Sequence, residues 1–424
     1  METVYHRCCG MDVHKKSVTV CVRSQEPGSE AVQQQMERYG TYLGELERLR
    51  DWLVEQRVES VVMESTGIYW VPVWNVLEAG PWELKLVNAQ HVKQVPGRKT
   101  DLKDSQWLAE LEQVGLLRGS FVAGAEMRQL RGLTRLRANL EQEHSRMVQR
   151  VQKVLERGNV KLASVVSDVM GKSGRRMLAA LAEGCQDAEA MAAMGLGRLR
   201  SRKAELRLAL QGRFQAEHAY ELKLLLGMLQ ELEARVSKIE GELRRRLETG
   251  AEGSWEHAAC QAVQLLDTIP GIDWVLAVTI VAEIGVDMRQ YGSARHLSSW
   301  AGMCPGNHES AGKRLSGKMR KGNRWLRRAL CEAAWAGSRT KNSSLRAQYQ
   351  HLARKGKKRA IMAVGHTILT IAYHLLERQS PYREAGAHHF LARDREAQQR
   401  YHLKALHQLG FQVTLSATTP TPAT

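Results

Sequence analysis

Four carboxylates fall within the first 104 residues of the chain: Asp12, Glu64, Asp101 and Asp104. Asp12 lies at the end of one apolar run (CCGMDV, 8–13), and Glu64 directly follows another (VESVVM, 58–63). Asp101 and Asp104 are three apart, so a helix presents them on one face. Two acids from strand ends and two from a crossing helix can converge on one or two Mg2+ ions, which prefer hard oxygen ligands. A pair of such ions about 4 Å apart stabilises both the attacking and the leaving oxygen of a phosphodiester. Any one of these acids alone reads as a surface carboxylate; the set points to a metal site. Beside them, PGRKTDLK (96–103) supplies Arg98, Lys99 and Lys103, cations suited to holding phosphates near the metal. Glu64 leads Ser65-Thr66-Gly67, which reads as a strand-to-helix cap.

A second set of residues lies far downstream. Residues 313–328 hold eight Lys/Arg and no acid: Lys313, Arg314, Lys318, Arg320, Lys321, Arg324, Arg327 and Arg328. Gly312, Gly317 and Gly322 predict a loop, until Asn323 caps a helix beginning at Arg324. Ser310 sits at the mouth of this loop. A serine there can attack a phosphodiester if the cations lower its effective pKa and neutralise the transition state. The same residues also suit a phosphate-binding loop with a bystander serine. Upstream, residues 265–285 read helix, Pro-Gly turn, helix. This is either a helix-hairpin-helix, whose turn amides at Gly271 cap a DNA phosphate, or a plain helical hairpin. The basic run 354–359 (RKGKKR) adds backbone-contact surface, and Trp300, Trp325 and Trp335 serve packing or stacking.

The balance of charge narrows the partner. With 62 Lys+Arg against 45 Asp+Glu, the chain carries a formal net charge of +17. Such an excess favours nucleic acid or an anionic membrane. The membrane is disfavoured, because the apolar stretch 274–286 is broken by Glu283 and is shorter than the roughly 20 residues of a span. The N-terminus lacks the apolar core of a signal peptide. The seven cysteines lack C-x-x-C spacing and read as reduced thiols in the cytoplasm, without a zinc site. Gly171-Lys172-Ser173 hints at a phosphate loop, but Val166 stands where its first glycine belongs.

These groups need elements to hold them. Residues 8–13, 17–23, 31–39, 58–63 and 83–87 read as strands, and 41–56, 68–79 and 101–116 as helices, which predicts an α/β layer over 1–125. Residues 126–157 predict a long helix, its apolar spacing broken by Arg137 and His144. Leu222, Leu225, Leu229, Leu232, Val236, Ile239 and Leu243 form a cleaner 3-4 seam, which predicts a coiled coil. That seam fits an antiparallel arm within one chain or a zipper between two. The expected organisation is 1–125, a helical coiled-coil arm 126–259 with an insertion at 158–210, a mainly α domain at 260–390, and a tail at 391–424, disordered in part.

In order and spacing these motifs resemble one family. The first part carries Gly10-Met11-Asp12-Val13-His14-Lys15, Met63-Glu64-Ser65-Thr66-Gly67 and Lys99-Thr100-Asp101-Leu102-Lys103-Asp104. The last part carries Ile269-Pro270-Gly271, Ser310-Ala311-Gly312-Lys313 and Lys321-Gly322-Asn323-Arg324-Trp325-Leu326-Arg327. Across residues 8–380 the chain resembles the DEDD transposases of the IS110 insertion-sequence family. The resemblance implies an RNase H-like (RuvC-like) α/β N-terminal domain and a serine-bearing C-terminal transposase domain. It implies that Asp12, Glu64, Asp101 and Asp104 bind Mg2+ and that Ser310 forms a covalent phosphoserine with DNA. It also implies a homo-oligomer, dimer or tetramer, whose domains act together in trans. A structured bridge RNA would pair with donor and target double-stranded DNA. Where many relatives carry Ser-Ser or Ser-Gly, this chain has Ser310-Ala311. Residues 158–210 match no known motif. Two other functions remain open on the residues: a hydrolytic RuvC-like nuclease in which Ser310 only binds phosphate, and a non-catalytic RNA/DNA-binding scaffold.

Overall fold

The structure is a computed structural model. It describes residues 3–29, 31–65, 67–88, 92, 104–305, 308–310, 313–316, 319 and 322–414, with backbone alone at 308–310, 313–316, 389–391 and 393–398. The chain divides into two compact units, Met1–Ala125 and Glu126–Thr424.

The first unit is built on one five-stranded sheet: β1 (Arg7–Val13), β2 (Ser17–Gln25), β3 (Val32–Gly40), β4 (Ser60–Glu64) and β5 (Glu83–Val87), in the order β3-β2-β1-β4-β5. β1, β2 and β3 are antiparallel neighbours, whereas β4 and β5 run parallel to β1. A short turn closed by His14 N donating to Ser17 O (2.9 Å) is enough for the antiparallel step. The parallel steps need crossovers, which α1 (Leu43–Glu55) and α2 (Trp70–Leu77) supply. Between their polar ends the central strands β1 and β4 are apolar (Cys8–Met11 and Val61–Met63) because both faces are covered. Met11, Val13, Val61 and Met63 share a core with Leu49 of α1 and Val73 of α2. On the opposite face Val62 and Val87 pack with Leu108 and Leu111 of α3 (Asp104–Gln113). β3 carries three glutamines in a row and lies exposed at the sheet edge, where polar side chains discourage further pairing.

The second unit is helical. α4 (Ala125–Arg157) and α8 (Ala216–Glu248) are each 33 residues long. Arg137 Nε lies 2.7 Å from Glu240, His144 Nε2 lies 2.9 Å from Glu233, and Arg157 pairs with Glu221. As one partner number rises the other falls, so the two helices run antiparallel within the chain. Arg137 and His144 had interrupted the apolar spacing of α4; each now has an acid opposite it on α8, and such matched polar pairs fix a register. Leu222, Leu225, Leu229, Leu232 and Leu243 of α8 are buried. Beyond the paired helices, a single turn at Leu162–Val165, α5 (Lys172–Ala182), α6 (Ala188–Ala193) and α7 (Lys203–Leu210) share a core with Val151, Leu155, Leu222 and Leu229. The Gly-Lys-Ser at 171–173 belongs to this packing: Ser173 Oγ accepts from Leu196 N at 3.0 Å, and Gly174 presses on the Val169 carbonyl.

The remainder comprises α9 (Trp255–Asp267), α10 (Trp274–Ile284), α11 (Ala294–Trp300), a hairpin of β6 (His308–Ser310) and β7 (Lys313–Ser316), α12 (Arg324–Gly337), α13 (Ser344–Ala353), α14 (Lys357–Arg378) and α15 (Gly386–Gln408). α14 is long and apolar enough to cross a membrane by composition. Its Val364, Ile368, Leu369 and Ala372 are fully buried within the unit, as in a core helix. One expectation is corrected here: the basic segment read as loop contains a β-hairpin. Residues 391–408 of the C-terminal tail belong to helix α15. All seven cysteines are free, and burial pushes the Cys8 thiol up to about 12.

Candidate active site

The acids of the first unit are placed by strand register and by one glycine. β1 and β4 run in parallel register with Cys8 opposite Ser60 and Met11 opposite Met63. One step further along the same offset aligns Asp12 with Glu64. Side chains alternate along a strand, so Asp12 shares its face with Gly10 and Cys8, and Glu64 shares its face with Val62. This is the face that α3 covers. α3 runs opposite to β1: Cys8 Sγ donates to Ala109 O (3.2 Å), while Gly10 lies against Ser105. Following β1 towards Asp12 therefore means following α3 back to Asp104, its first residue. Far from the acids, Glu112 anchors the other end of α3. It accepts from Ser60 Oγ at 2.6 Å and from Lys85 Nζ at 2.8 Å.

Three of the four acids thus come from three elements to one end of the sheet. Asp101, with Arg98, Lys99 and Lys103, lies outside the described residues. Among the described residues no group of three metal-binding side chains is complete. The donors available are carboxylate oxygens, which suit a hard divalent ion. The sequence reading missed one partner: His14, whose Nε2 lies 3.1 Å from Asp12 Oδ2. Its only signal was its position two residues after Asp12, in the turn between strands.

Gly10 permits this arrangement. A Cβ there would lie 2.2 Å from Ser105 O and 2.4 Å from Ala109 N, both backbone atoms. Gly10→Ala should push α3 off β1 and cost about 1–3 kcal/mol, as overpacking does. A lowered denaturation midpoint of the first unit checks this.

The serine of the second unit sits at a turn. In the hairpin Ser310 pairs with Lys313 across a two-residue connection, with a bulge between His308 and Glu309. Lys313 and Arg314 lie on β7, while Lys318, Arg320 and Lys321 fall outside the described residues. The exit from the hairpin is held in place. A Cβ on Gly322 would lie 2.4 Å from Ala301 O, so only glycine lets the chain pass. Asn323 Oδ1 then accepts from Trp325 N (3.0 Å) and Leu326 N (3.1 Å), capping α12. Asn323 Nδ2 donates to Glu283 Oε2 at 2.6 Å.

Glu283 is fully buried and joins three helices. Arg135 of α4 donates to both its carboxylate oxygens, Nε at 2.8 Å and Nη2 at 2.9 Å. Arg131 of α4 donates to the backbone carbonyls of Ala282 (2.8 Å) and Glu283 (2.6 Å) at the end of α10. Burial lowers the Arg131 pKa, although Glu283 opposes this.

The first turns of α12 carry Arg324, Arg327 and Arg328 and no acid near the helix start. The positive end of a helix dipole disfavours cations and favours anions. Arg324 is exposed and lies 4.5 Å over the Trp325 ring, and Arg328 Nη1 donates to Ala138 O at 3.2 Å. Gly271 has φ +90°, and a Cβ there would lie 2.3 Å from Gly337 N. The close approach to α12 requires a glycine at this turn, which fits a phosphate-capping hairpin and a plain helical hairpin alike.

Known families match two stretches of the chain. Residues 9–159 match the DEDD transposase model of the IS110 group, and residues 263–350 match the model described as Transposase IS116/IS110/IS902 family. The chain is 27% identical over 338 residues to the transposase for insertion sequence element IS1111A of Coxiella burnetii, covering 77% of this chain and 80% of that protein. It is 24% identical over 344 residues to a probable family 20 transposase of Pseudomonas aeruginosa, covering 79% and 89% of the two chains. A pilin gene-inverting protein of Moraxella bovis is 32% identical over 122 residues, 28% of this chain and 38% of its own. With a match in each unit and relatives that span most of its length, this chain belongs to the IS110 family of insertion-sequence transposases and is a DNA strand-cleaving and rejoining enzyme.

Proposed function

We propose that the enzyme carries out site-specific recombination with a set of metal-binding carboxylates and a nucleophilic serine. Asp12, Glu64, Asp101 and Asp104 would hold one or two Mg2+ ions, and Ser310 would be the nucleophile. The observation that carries this is the meeting of Asp12, Glu64 and the start of α3 on one end and one face of the sheet. An ion held by these carboxylates would supply Lewis acidity to offset the charge of the scissile phosphate. Ser310 Oγ forms a bond to phosphorus as the P–O3′ bond breaks, and the serine proton ends on the departing 3′-hydroxyl. A 3′-hydroxyl of the new partner strand then reverses the step and frees the serine. Because the phosphodiester energy stays in the phosphoserine, no nucleotide cofactor is consumed. Lys313 and Arg314 stabilise the pentavalent transition state. Lys318, Arg320, Lys321, Arg324, Arg327 and Arg328, with Arg98, Lys99 and Lys103, hold strand phosphates. Three arginines beside the positive end of α12 are better tolerated when a polyanion is bound.

In this reading the partners are donor and target DNA and a structured bridge RNA, with the protein acting as a homo-oligomer. Sequence choice then rests mainly on base pairing, and the protein contributes backbone contacts. Chelation of divalent ions with EDTA should abolish cleavage while DNA binding persists. Raising NaCl from 50 to 200 mM should weaken binding by on the order of 10³-fold or more if six or more phosphates are neutralised. Gel-based cleavage and fluorescence anisotropy on one preparation check both. Undiminished cleavage in EDTA would remove the metal from the account.

A further inference from the structure

The second unit holds a cavity of about 610 Å3 that the reaction described above does not use. One wall is α14. The other includes Met303 and Pro305, which lead into the β6–β7 hairpin, and Met319, which follows it. The volume lies within the roughly 300–1,000 Å3 of clefts that bind small molecules. Three methionines, Met303, Met319 and Met362, line it. Their flexible, polarisable thioethers pack well against flat aromatic rings. Polar groups are few and placed at intervals. Gln348 Nε2 donates to Thr367 Oγ1 (2.9 Å), which leaves the Gln348 carbonyl as an acceptor. His366 is half-buried, and burial lowers its pKa, which favours the neutral ring with one donor and one acceptor. Lys358 and Arg359 line the cavity too and are exposed, on the basic run that opens α14.

We propose that this cavity receives a single unpaired DNA base, extruded beside the strand that the Ser310 hairpin engages. The base lies among the methionine side chains, its edge meets Gln348 and His366, and Lys358 and Arg359 hold the adjoining phosphate. This is the combination a flipped nucleotide requires: apolar faces, a few hydrogen-bonding groups for the edge, and cations for the backbone. The proposal rests on the hairpin being the DNA-contacting element.

The test uses the full-length protein and two labelled DNA duplexes, one fully paired and one with a single 2-aminopurine bulge. Anisotropy should show the bulged duplex bound about tenfold more tightly, with 2-aminopurine fluorescence changing on binding. Met362→Trp fills the cavity and should erase the preference while paired-duplex affinity stays within about twofold. A tryptophan here also presses on Cys331, whose Sγ lies 3.3 Å from Met362 Sδ. Gln348→Leu, which keeps volume and removes the edge group, is therefore run beside it and should weaken the preference. Equal affinity of the unmodified protein for both duplexes overturns the proposal, as does a preference that survives both substitutions. A preference shown only for the same bulge in RNA overturns the assignment to DNA. Ser310→Ala should abolish the covalent adduct and leave the bulge preference intact, so covalent chemistry that survived the substitution would count against the nucleophile and not against this cavity.

Discussion

Asp12→Asn should lower strand cleavage by on the order of 10²–10³-fold, the effect of removing one preorganised group that stabilises transition-state charge. The substitution keeps the shape of the side chain and removes its charge. Asp12 is a partly exposed residue at a strand end, with 27% of its side chain accessible. Folding should therefore survive, and DNA affinity should stay close to that of the parent protein or rise slightly as a negative charge is lost. Single-turnover cleavage at saturating protein separates the chemical step from binding. Asp104→Asn should behave the same way. A fall in binding that matched the fall in cleavage would instead make Asp12 a folding or docking residue.

Glu283→Ala should have the largest effect on stability. Removing one partner of a buried ion pair leaves the others uncompensated and costs about 3–5 kcal/mol. Here the loss strands the Arg135 guanidinium and the Asn323 amide together. Arg135 is about one-third exposed, so water offsets part of the loss, and the lower end of that range is expected. The transition of the second unit in urea should move to lower concentration. Glu283→Gln keeps an acceptor for Asn323 and should cost less. Both should also reduce cleavage beyond their effect on stability, because Asn323 anchors the chain where it leaves the Ser310 hairpin.

The same residue shows how far the sequence could be read. Glu283 is visible in the sequence as a charge in an apolar stretch, and there it argues only against a membrane span. Its partners are separated from it by 40 to about 150 residues along the chain, and no local pattern announces them. Gly10 is similar: it looks like an ordinary residue before Asp12 until α3 is seen to pass over it. By contrast, the run ending at Asp12 was legible because a strand covered on both faces needs a near-continuous apolar run, and Glu83–Val87 was legible because Leu84 and Leu86 alternate with Glu83 and Lys85. The basic segment was misread as loop because its glycines and cations are poor strand formers. Arg137 and His144 looked like faults in a helix seam, and their acidic partners lie on another helix. Residues 158–210 were opaque because their short helices bury apolar groups jointly with α4 and α8, and each alone shows little pattern.

The central claim is that attack comes from Ser310 while the metal-binding carboxylates assist it. The most direct measurement is the yield of a denaturation-resistant protein–DNA adduct, with strand cleavage read from the same samples. The account predicts an adduct with the parent protein and Mg2+, and neither adduct nor cleavage with Ser310→Ala. Normal cleavage by Ser310→Ala without any adduct would contradict it, and would make water the nucleophile.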